Sequence, residues 1–415
     1  MSKKQKNTPI DKSNVDIKVD NVLDNFSKPI AEPPKRKYGW LSMLLLIVII
    51  GVGIYFMVKL AASVNEDEIR SLGDILAHLD VKYAIISVAA LLGIMLFESA
   101  KFLVVTHATT GLLKPLNSIK VAFLGKYYDG ITPFSAGGQP MQIYYLHKKG
   151  HSAGVSTAIV MIKYFINMLC WVTLCFLLMT INRGALSKYV DANQQHFFLV
   201  AGWIGWVINA ILPFSIIIFA IFPKITNKIL LFFINIITKC SFGLASKKET
   251  KTGKSQFQRK KKILRRKQKW INSAYSAVKD FRASFAIMSH KPVQFVLLLI
   301  SCIAESFLAY ALPYFILVAF ADGAVAVGAE TMFAIMTLNV YAAMSVAVVP
   351  TPGNSGVLEN VILLVFKMLA TSVVFWVVFT WRFFTYYIYI LIGIGITLFE
   401  LIRKSIRSRN ASKKR

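Results

Sequence analysis

Two short segments of this chain place Thr-Pro and several glycines inside otherwise apolar stretches. The first reads Gly130-Ile-Thr-Pro-Phe-Ser-Ala-Gly-Gly-Gln-Pro140, and the second reads Val349-Pro-Thr-Pro-Gly-Asn-Ser-Gly-Val-Leu-Glu359. Proline and glycine interrupt helices, so the backbone there offers unpaired N–H and C=O groups, and a helix N-terminus suits a phosphate. One such segment alone is more typical of a tight turn between packed helices. The pair, in two halves of one chain, favours a substrate site at the middle of a membrane.

Ionisable side chains inside apolar segments are the second chemical signal, since at membrane depth each must be paired or face a cavity. Glu98 and Lys101 lie three residues apart on one helical face, which is consistent with mutual neutralisation. Lys163, Glu305 and Arg382 have no partner nearby in the sequence. The two cations suit a lipid phosphate, with Arg382 offering bidentate geometry, and the alternative is that they snorkel to the membrane interface.

Asp129 is the acidic residue of the first segment and follows a lysine and two tyrosines. It is suited to orienting a cationic head group or coupling protons, and it is equally suited to capping a helix. The aromatic residues around it line a cavity or form an ordinary interfacial belt. The predicted substrate-binding residues are therefore Asp129, Thr132, Pro133, Gly137, Gly138, Gln139, Lys163, Thr351, Pro352, Gly353, Asn354, Gly356, Glu359 and Arg382.

Neither catalytic residues nor a metal or cofactor site are predicted. The four cysteines have no metal-binding spacing and are typical of small buried hydrophobes. His147 and His151 have a helical metal-ligand spacing, but the lysines and Gly150 between them favour a loop.

The elements that must position these residues are membrane helices. The hydrophobic set makes up 56% of the 415 residues, and charged residues make up 16%, against about 25% in soluble domains. Continuous apolar runs of roughly 20 residues indicate transmembrane helices and exclude both a soluble protein and a transmembrane β-barrel. We predict an all-α, polytopic integral membrane protein with eight crossings, at 38–62, 83–105, 155–181, 197–222, 293–321, 331–349, 357–379 and 383–402.

The charge distribution predicts the orientation of these crossings. The formal net charge is +28, and residues 224–291 hold 18 Lys and Arg against two acids, whereas residues 62–82 are mainly acidic. The positive-inside rule then places both termini in the cytoplasm. Attraction of basic segments to anionic lipids accounts for the charge, so no nucleic-acid partner is expected.

The predicted organisation has five parts, and the first membrane half contains a broken or re-entrant segment near 119–146. The parts are a disordered basic tail (1–37), a first membrane half (38–223), a basic cytoplasmic loop with an interfacial helix (224–291), a second membrane half (292–402) and a basic tail (403–415).

The two breaks and the last helix resemble the lysylphosphatidylglycerol synthase transmembrane family, also known as flippase-like or uncharacterised family 0104. Thr132-Pro133 to Pro140 is similar to the family motif T-P-x-x-A-G-G-x-P, and Pro350 to Glu359 is similar to P-x-P-G-G-x-G-x-x-E. The segment from Arg382 to Tyr386 is similar to R-x-x-T-Y. Asn354 replaces the usual second glycine, and the proline usual after the last motif is missing. The resemblance covers residues 39–402.

The resemblance implies a flippase domain that moves aminoacylated or glycosylated lipids from the inner to the outer leaflet of a bacterial plasma membrane. In the two-part multiple peptide resistance factor this domain precedes a soluble synthase domain. Here 13 residues follow the last predicted span, so we expect no such domain. Two alternatives stay open, namely a phosphatidylglycerol lysyltransferase-type lipid-modifying protein and a membrane subunit for a separate cytoplasmic enzyme. The sequence leaves an oligomer possible.

Overall fold

The computed structural model describes residues 51, 71–112, 114–132, 135, 137–221, 286, 288, 290–347, 349, 353, 357–366 and 372–412. The predicted first crossing, apart from residue 51, and the predicted N-terminal tail lie outside this part of the chain. So does the predicted basic loop from 224, except for residues 286, 288, 290 and 291. Within the described residues the protein is helical throughout.

The helices, numbered in chain order, are α1 Leu72–Ala77, α2 Val81–Thr110, α3 Pro115–Gly130, α4 Gly138–Lys148, α5 Ala153–Ile181, α6 Gly184–Tyr189, α7 Ala192–Ile221, α8 Pro292–Phe320, α9 Ala329–Ser345, α10 Val357–Phe366, α11 Val374–Arg382 and α12 Ile388–Ser412. A π-helical turn, Phe383–Tyr387, joins α11 to α12.

The helix ends carry recognisable local signals. Asp80 caps α2 by accepting hydrogen bonds from two backbone amides, and Ser152 caps α5 in the same way through Val155. Prolines occupy the first position of α3 and of α8, where the missing N–H costs nothing. These caps define where each helix enters the bundle.

Four helical stretches among the described residues are long and apolar enough to cross a membrane: Val81–Thr110, Gly154–Ile181, Pro292–Phe320 and Val374–Glu400. The prediction of an all-α, polytopic membrane protein is thereby confirmed. The count of eight crossings stays a prediction.

The predicted boundary between the last two crossings is wrong. The sequence analysis placed one crossing at 357–379 and the next at 383–402, whereas helix runs from Val374 through Arg382 and the π turn to Ser412. The preceding helix, α10, is described from Val357 to Phe366. Apolar residues continue across both segments, so hydropathy alone did not reveal that residues 379–383 lie within one continuous helix.

Several charged side chains are buried within the mainly apolar interior of the helical bundle, and many large apolar side chains lie exposed on its outer surface. Lys101, Glu98 and Arg382 are almost fully buried, with 0%, 3% and 4% exposure. In contrast, Leu96 and Ile211 are largely exposed on the outer surfaces of their helices. Apolar side chains face outward without penalty in a lipid solvent, whereas buried charges need partners.

The helices α2 and α8 pack side by side in opposite directions. The amide of Asp80, at the start of α2, donates to the Ala319 carbonyl at the end of α8, and Gly93 packs against Leu308. Nearer the end of α2, Lys101 reaches Glu305, earlier in α8. Residue numbers thus rise along one helix as they fall along the other.

Each of these long helices is followed by a short helical hairpin. The hairpin of α3 and α4 follows α2, and the hairpin of α9 and α10 follows α8. Because α2 and α8 run in opposite directions, the hairpins enter the bundle from opposite ends. A further long helix follows each hairpin, α5 in one half and α11–α12 in the other. The order long helix, helical hairpin, long helix therefore occurs twice among the described residues, in opposite directions.

Candidate functional site

The tip of the first hairpin is closed by hydrogen bonds from its own side chains. The Asp129 carboxylate accepts a hydrogen bond of 2.7 Å from the Gly138 amide, and the Thr132 hydroxyl accepts one of 2.9 Å from the Gly137 amide. Thr132 also donates to the Tyr128 carbonyl at 2.7 Å. Neither glycine has room for a Cβ, because Thr132 and Asp129 fill that space. The small residues therefore allow these side chains to cap α4.

This capping changes the expected chemistry of the first break. The N-terminal amides of α4 suit a phosphate only when they are free, and two of them are already bonded to Asp129 and Thr132. The Asp129 carboxylate also neutralises the positive end of the helix dipole. In this structure Asp129 caps the N-terminus of α4.

The second break is held by an arginine on the following helix. Arg382 donates from Nε to the Glu359 carboxylate at 2.6 Å and from Nη2 to the Gly353 carbonyl at 2.9 Å. Both charged side chains are buried, with 5% and 3% of their surface accessible. The guanidinium thus ties the tip of the second hairpin to α10 and α11.

Tyr386 lies between the two hairpin tips. Its hydroxyl donates to the Gly130 carbonyl of the first break at 3.0 Å, and its ring fills the space that a Cβ on Gly353 would need. Gly353 has a φ of +57°, which favours glycine. The Arg382 guanidinium carbon also lies 5.0 Å from the ring centroid. Tyr386 belongs to the π-helical turn, a feature that is frequent at functional sites.

A network of buried charges lies beside the first break and joins both halves. The Lys101 ammonium lies 2.6 Å from Glu98 and 3.3 Å from Glu305. Lys163 on α5 lies 2.6 Å from the second Glu98 oxygen, and Lys126 on α3 lies 3.2 Å from the second Glu305 oxygen. Glu305 on α8 therefore links helices of the first half to the second half. Opposite charges within this distance satisfy the requirement for pairing at membrane depth.

The predicted site residues separate into distinct groups in the structure. Asp129, Thr132, Gly137 and Gly138 meet at the first tip, and Gly353, Glu359 and Arg382 meet at the second. Lys163 lies in the charge network, and Gln139 lies half-buried in the first turn of α4. Pro133, Thr351, Pro352, Asn354 and Gly356 lie outside the described residues.

Lys163 and Arg382 were expected to contact a lipid phosphate. Contact with a lipid stays a prediction, and in this structure each forms a buried ion pair with a carboxylate distant in sequence, Glu98 for Lys163 and Glu359 for Arg382. Pairs separated by 65 and 23 residues leave no local sequence signal. Both cations are buried inside the bundle, with 9% and 4% exposure for Lys163 and Arg382.

Three further residues form part of the site although they were not predicted to: Lys126, Glu305 and Tyr386. Tyr389 lies beside the same network, with its ring centroid 5.8 Å from that of Phe123 on α3. Glu305 was visible as an unpaired acid in an apolar segment, and Tyr386 was visible only as part of the last motif. Lys126 and Tyr389 carried no signal beyond their place among aromatic residues.

The two histidines do not form a metal site in this structure. The His147 Nδ1 atom lies 2.9 Å from the His151 carbonyl oxygen, in the turn that follows α4. Burial lowers the pKa of His151. No group of three His, Cys, Asp or Glu side chains able to hold a metal occurs among the described residues.

Comparison with known proteins places the chain in one family. The model of the lysylphosphatidylglycerol synthase TM region matches residues 42–393, which is well over half of the chain. No curated protein and no solved structure matches the chain.

Proposed function

The chain belongs to the lysylphosphatidylglycerol synthase transmembrane family, and from that premise we propose that it is a lipid translocase. The family comprises membrane proteins of lysylphosphatidylglycerol synthesis or flipping. In our proposal the chain moves an aminoacylated or glycosylated lipid from the inner to the outer leaflet of a bacterial plasma membrane, with both termini in the cytoplasm.

The meeting of the two hairpin tips at Tyr386 is the observation that carries this proposal. In this proposal, hairpins that enter from opposite ends give each leaflet an approach to the same point, where Tyr386 lies between the two tips. Inverted repeats with broken helices at the middle are the architecture of alternating access. A lipid head group can follow the polar interior while its acyl chains stay in the surrounding bilayer.

The charges of the interior fit a head group that carries charge of either sign. Asp129 at the first tip suits an amine, and the lysines of the charge network suit a phosphate. A charged or zwitterionic group crosses an apolar core poorly, so a polar interior lowers that barrier. The driving force in this proposal is the lipid gradient or a coupled ion.

Two other functions compete with translocation. In one, the same interior modifies the lipid, as a phosphatidylglycerol lysyltransferase would. In the other, the chain is the membrane subunit of a separate cytoplasmic enzyme, held there by the basic loop. Removal of the chain is expected to change the total amount of modified lipid if the chain takes part in synthesis, and only its amount in the outer leaflet if the chain is a translocase.

The test measures both quantities in cells with and without the chain. A membrane-impermeant amine or sugar label reports lipid in the outer leaflet, and mass spectrometry reports the total. A translocase is expected to change exposure while the total persists. Loss of the modified lipid from the total would contradict translocation and support synthesis.

A pair of glycine variants links the result to the hairpin tips. In Gly353→Ala the added methyl group overlaps the Tyr386 ring at a backbone angle that disfavours alanine, so exposure should fall. Gly395→Ala, on α12, is the matched control, because a Cβ at this position meets nothing within 4 Å. Equal exposure in the two variants would contradict a role for the tips.

A further inference from the structure

We propose that Lys126 on α3 and Tyr389 on α12 form a binding site for a phosphodiester. The inference rests on the proposed function and deepens it, since the phosphodiester would belong to the lipid being moved. The site lies in the charge network, which also contains Lys163, but its two residues are neither of the cations predicted from the sequence to hold the phosphate, Lys163 and Arg382.

First, the lysines of the charge network differ in how accessible their side chains are. Lys101 is fully buried and has three acceptors, namely Glu98, Glu305 and the side-chain oxygen of Asn167 at 2.5 Å. Lys126 keeps 36% of its side-chain surface accessible and, among the described residues, has a single carboxylate acceptor at 3.2 Å. An ammonium group has three donors. Lys126 is therefore the lysine of the network best placed to bind an outside anion.

The second step is a buried hydroxyl that has no partner among the described residues. Tyr389 is only 5% exposed, and its hydroxyl makes no hydrogen bond in the described part of the chain. The Tyr389 ring centroid lies 5.8 Å from that of Phe123, one turn before Lys126 on α3, so the hydroxyl lies in the neighbourhood of the charge network. Buried polar groups are normally satisfied, so this hydroxyl points to a ligand oxygen.

The third step is the balance of charge. The network contains three ammonium groups, those of Lys101, Lys126 and Lys163, and two carboxylates, those of Glu98 and Glu305. One positive charge is therefore left over. The nearby Asp129 carboxylate is bonded to the Gly138 amide, where it balances the positive end of α4. A phosphodiester carries one negative charge and matches the excess.

The fourth step is position along the route. Tyr389, in α12, follows Tyr386 of the π-helical turn by three residues, and Lys126 precedes Gly130 by four residues on α3. The site therefore lies one helical turn from the hydrogen bond between Tyr386 and Gly130, on the side from which the first hairpin enters. A phosphodiester bound there would lie next to the contact between the two tips, on the side from which the first hairpin enters.

The experiment measures binding to the full-length protein purified in detergent. The probes are dihexanoyl-phosphatidylglycerol, inorganic phosphate and uncharged dihexanoylglycerol, each titrated by calorimetry. Tyr389→Phe and Lys126→Gln should each weaken binding of the phosphatidylglycerol about tenfold, since each removes a hydrogen-bond donor to an anion. Lys126→Arg should restore most of the affinity because it keeps the charge.

Matched controls come from exposed residues of the same types. Tyr144→Phe and Lys148→Gln should bind as the wild-type chain does, because these side chains are exposed on α4. Tyr389→Phe removes an atom with no hydrogen bond in the described residues, so it should keep its fold even if Lys126→Gln does not. Thermal unfolding of each variant checks this.

The outcomes separate the inference from the proposed function. Binding of both phosphate and lipid, with the same dependence on Lys126 and Tyr389, supports a site for the shared anion, and binding of lipid alone supports a lipid-specific site. Unchanged affinity in both variants, or equal binding of dihexanoylglycerol, would overturn the site. If cells with and without the chain expose the same amount of lipid in the outer leaflet, while binding to the purified protein depends on Lys126 and Tyr389, the translocase proposal fails and the binding site remains.

Discussion

The Tyr386 hydroxyl and the Gly130 carbonyl, 256 residues apart in the chain, are joined by a buried hydrogen bond of 3.0 Å. This bond connects the tip of the first helical hairpin to the helix whose Arg382 holds the tip of the second. The same tyrosine ring packs against Gly353, so the two tips are spaced by a single side chain. Any head group that passes between the tips must displace this contact.

Tyr386→Phe removes the hydroxyl and keeps the ring. The Gly130 carbonyl then loses a buried donor, and the free energy of unfolding should fall by about 1–3 kcal/mol. Thermal unfolding of the purified protein measures the change. Tyr144→Phe, at a half-exposed position of α4, is the control and should leave the midpoint unchanged. Equal midpoints for the two variants would show that the hydrogen bond contributes little.

The charge network predicts an order of sensitivity among its lysines. Lys101→Met removes the partner that both carboxylates share, whereas Lys163→Met leaves Glu98 paired with Lys101. After Lys101→Met each carboxylate keeps one lysine, Lys163 for Glu98 and Lys126 for Glu305, but the Asn167 side-chain oxygen loses its donor and two buried ion pairs are lost at once. Lys163→Met removes one ion pair, so Lys101→Met should reduce the yield of folded protein more than Lys163→Met does. Gel-filtration yield after extraction compares the two. The reverse order would contradict the shared role of Lys101.

The sequence predicted the helical class and both breaks, because apolar length and the positions of proline and glycine are local properties. It did not predict that helix continues without a break from Val374 through the π-helical turn to Ser412, since hydropathy does not change between the two predicted crossings. The partners of Lys163 and Arg382 were equally hidden, because only the fold brings distant carboxylates to them. Tyr386 became a site residue only when the inverted packing placed both tips beside it.

The inverted arrangement predicts the sides of the membrane at which two exposed lysines lie. Lys188 pairs with Glu330 at the end where the second hairpin enters, and Lys148 pairs with Glu400 at the other end. In a background without the four native cysteines, Lys188→Cys should react with an impermeant maleimide on intact cells. Lys148→Cys should react only after permeabilisation, since the acidic loop before α2 is predicted outside. Labelling of both from one side would contradict the opposed hairpins.

The ion pair between Arg382 and Glu359 separates stability from function. Arg382→Met leaves the Glu359 carboxylate buried without its arginine, which should cost about 3–5 kcal/mol, whereas the double variant Arg382→Met with Glu359→Leu should recover most of this loss. The Gly353 carbonyl still loses its arginine donor in the double variant, so the second tip should be less well positioned. We therefore expect near wild-type thermal unfolding but reduced lipid exposure in the double variant. Full exposure together with recovered stability would show that the pair only maintains the fold, and that positioning of the Gly353 tip does not limit lipid movement.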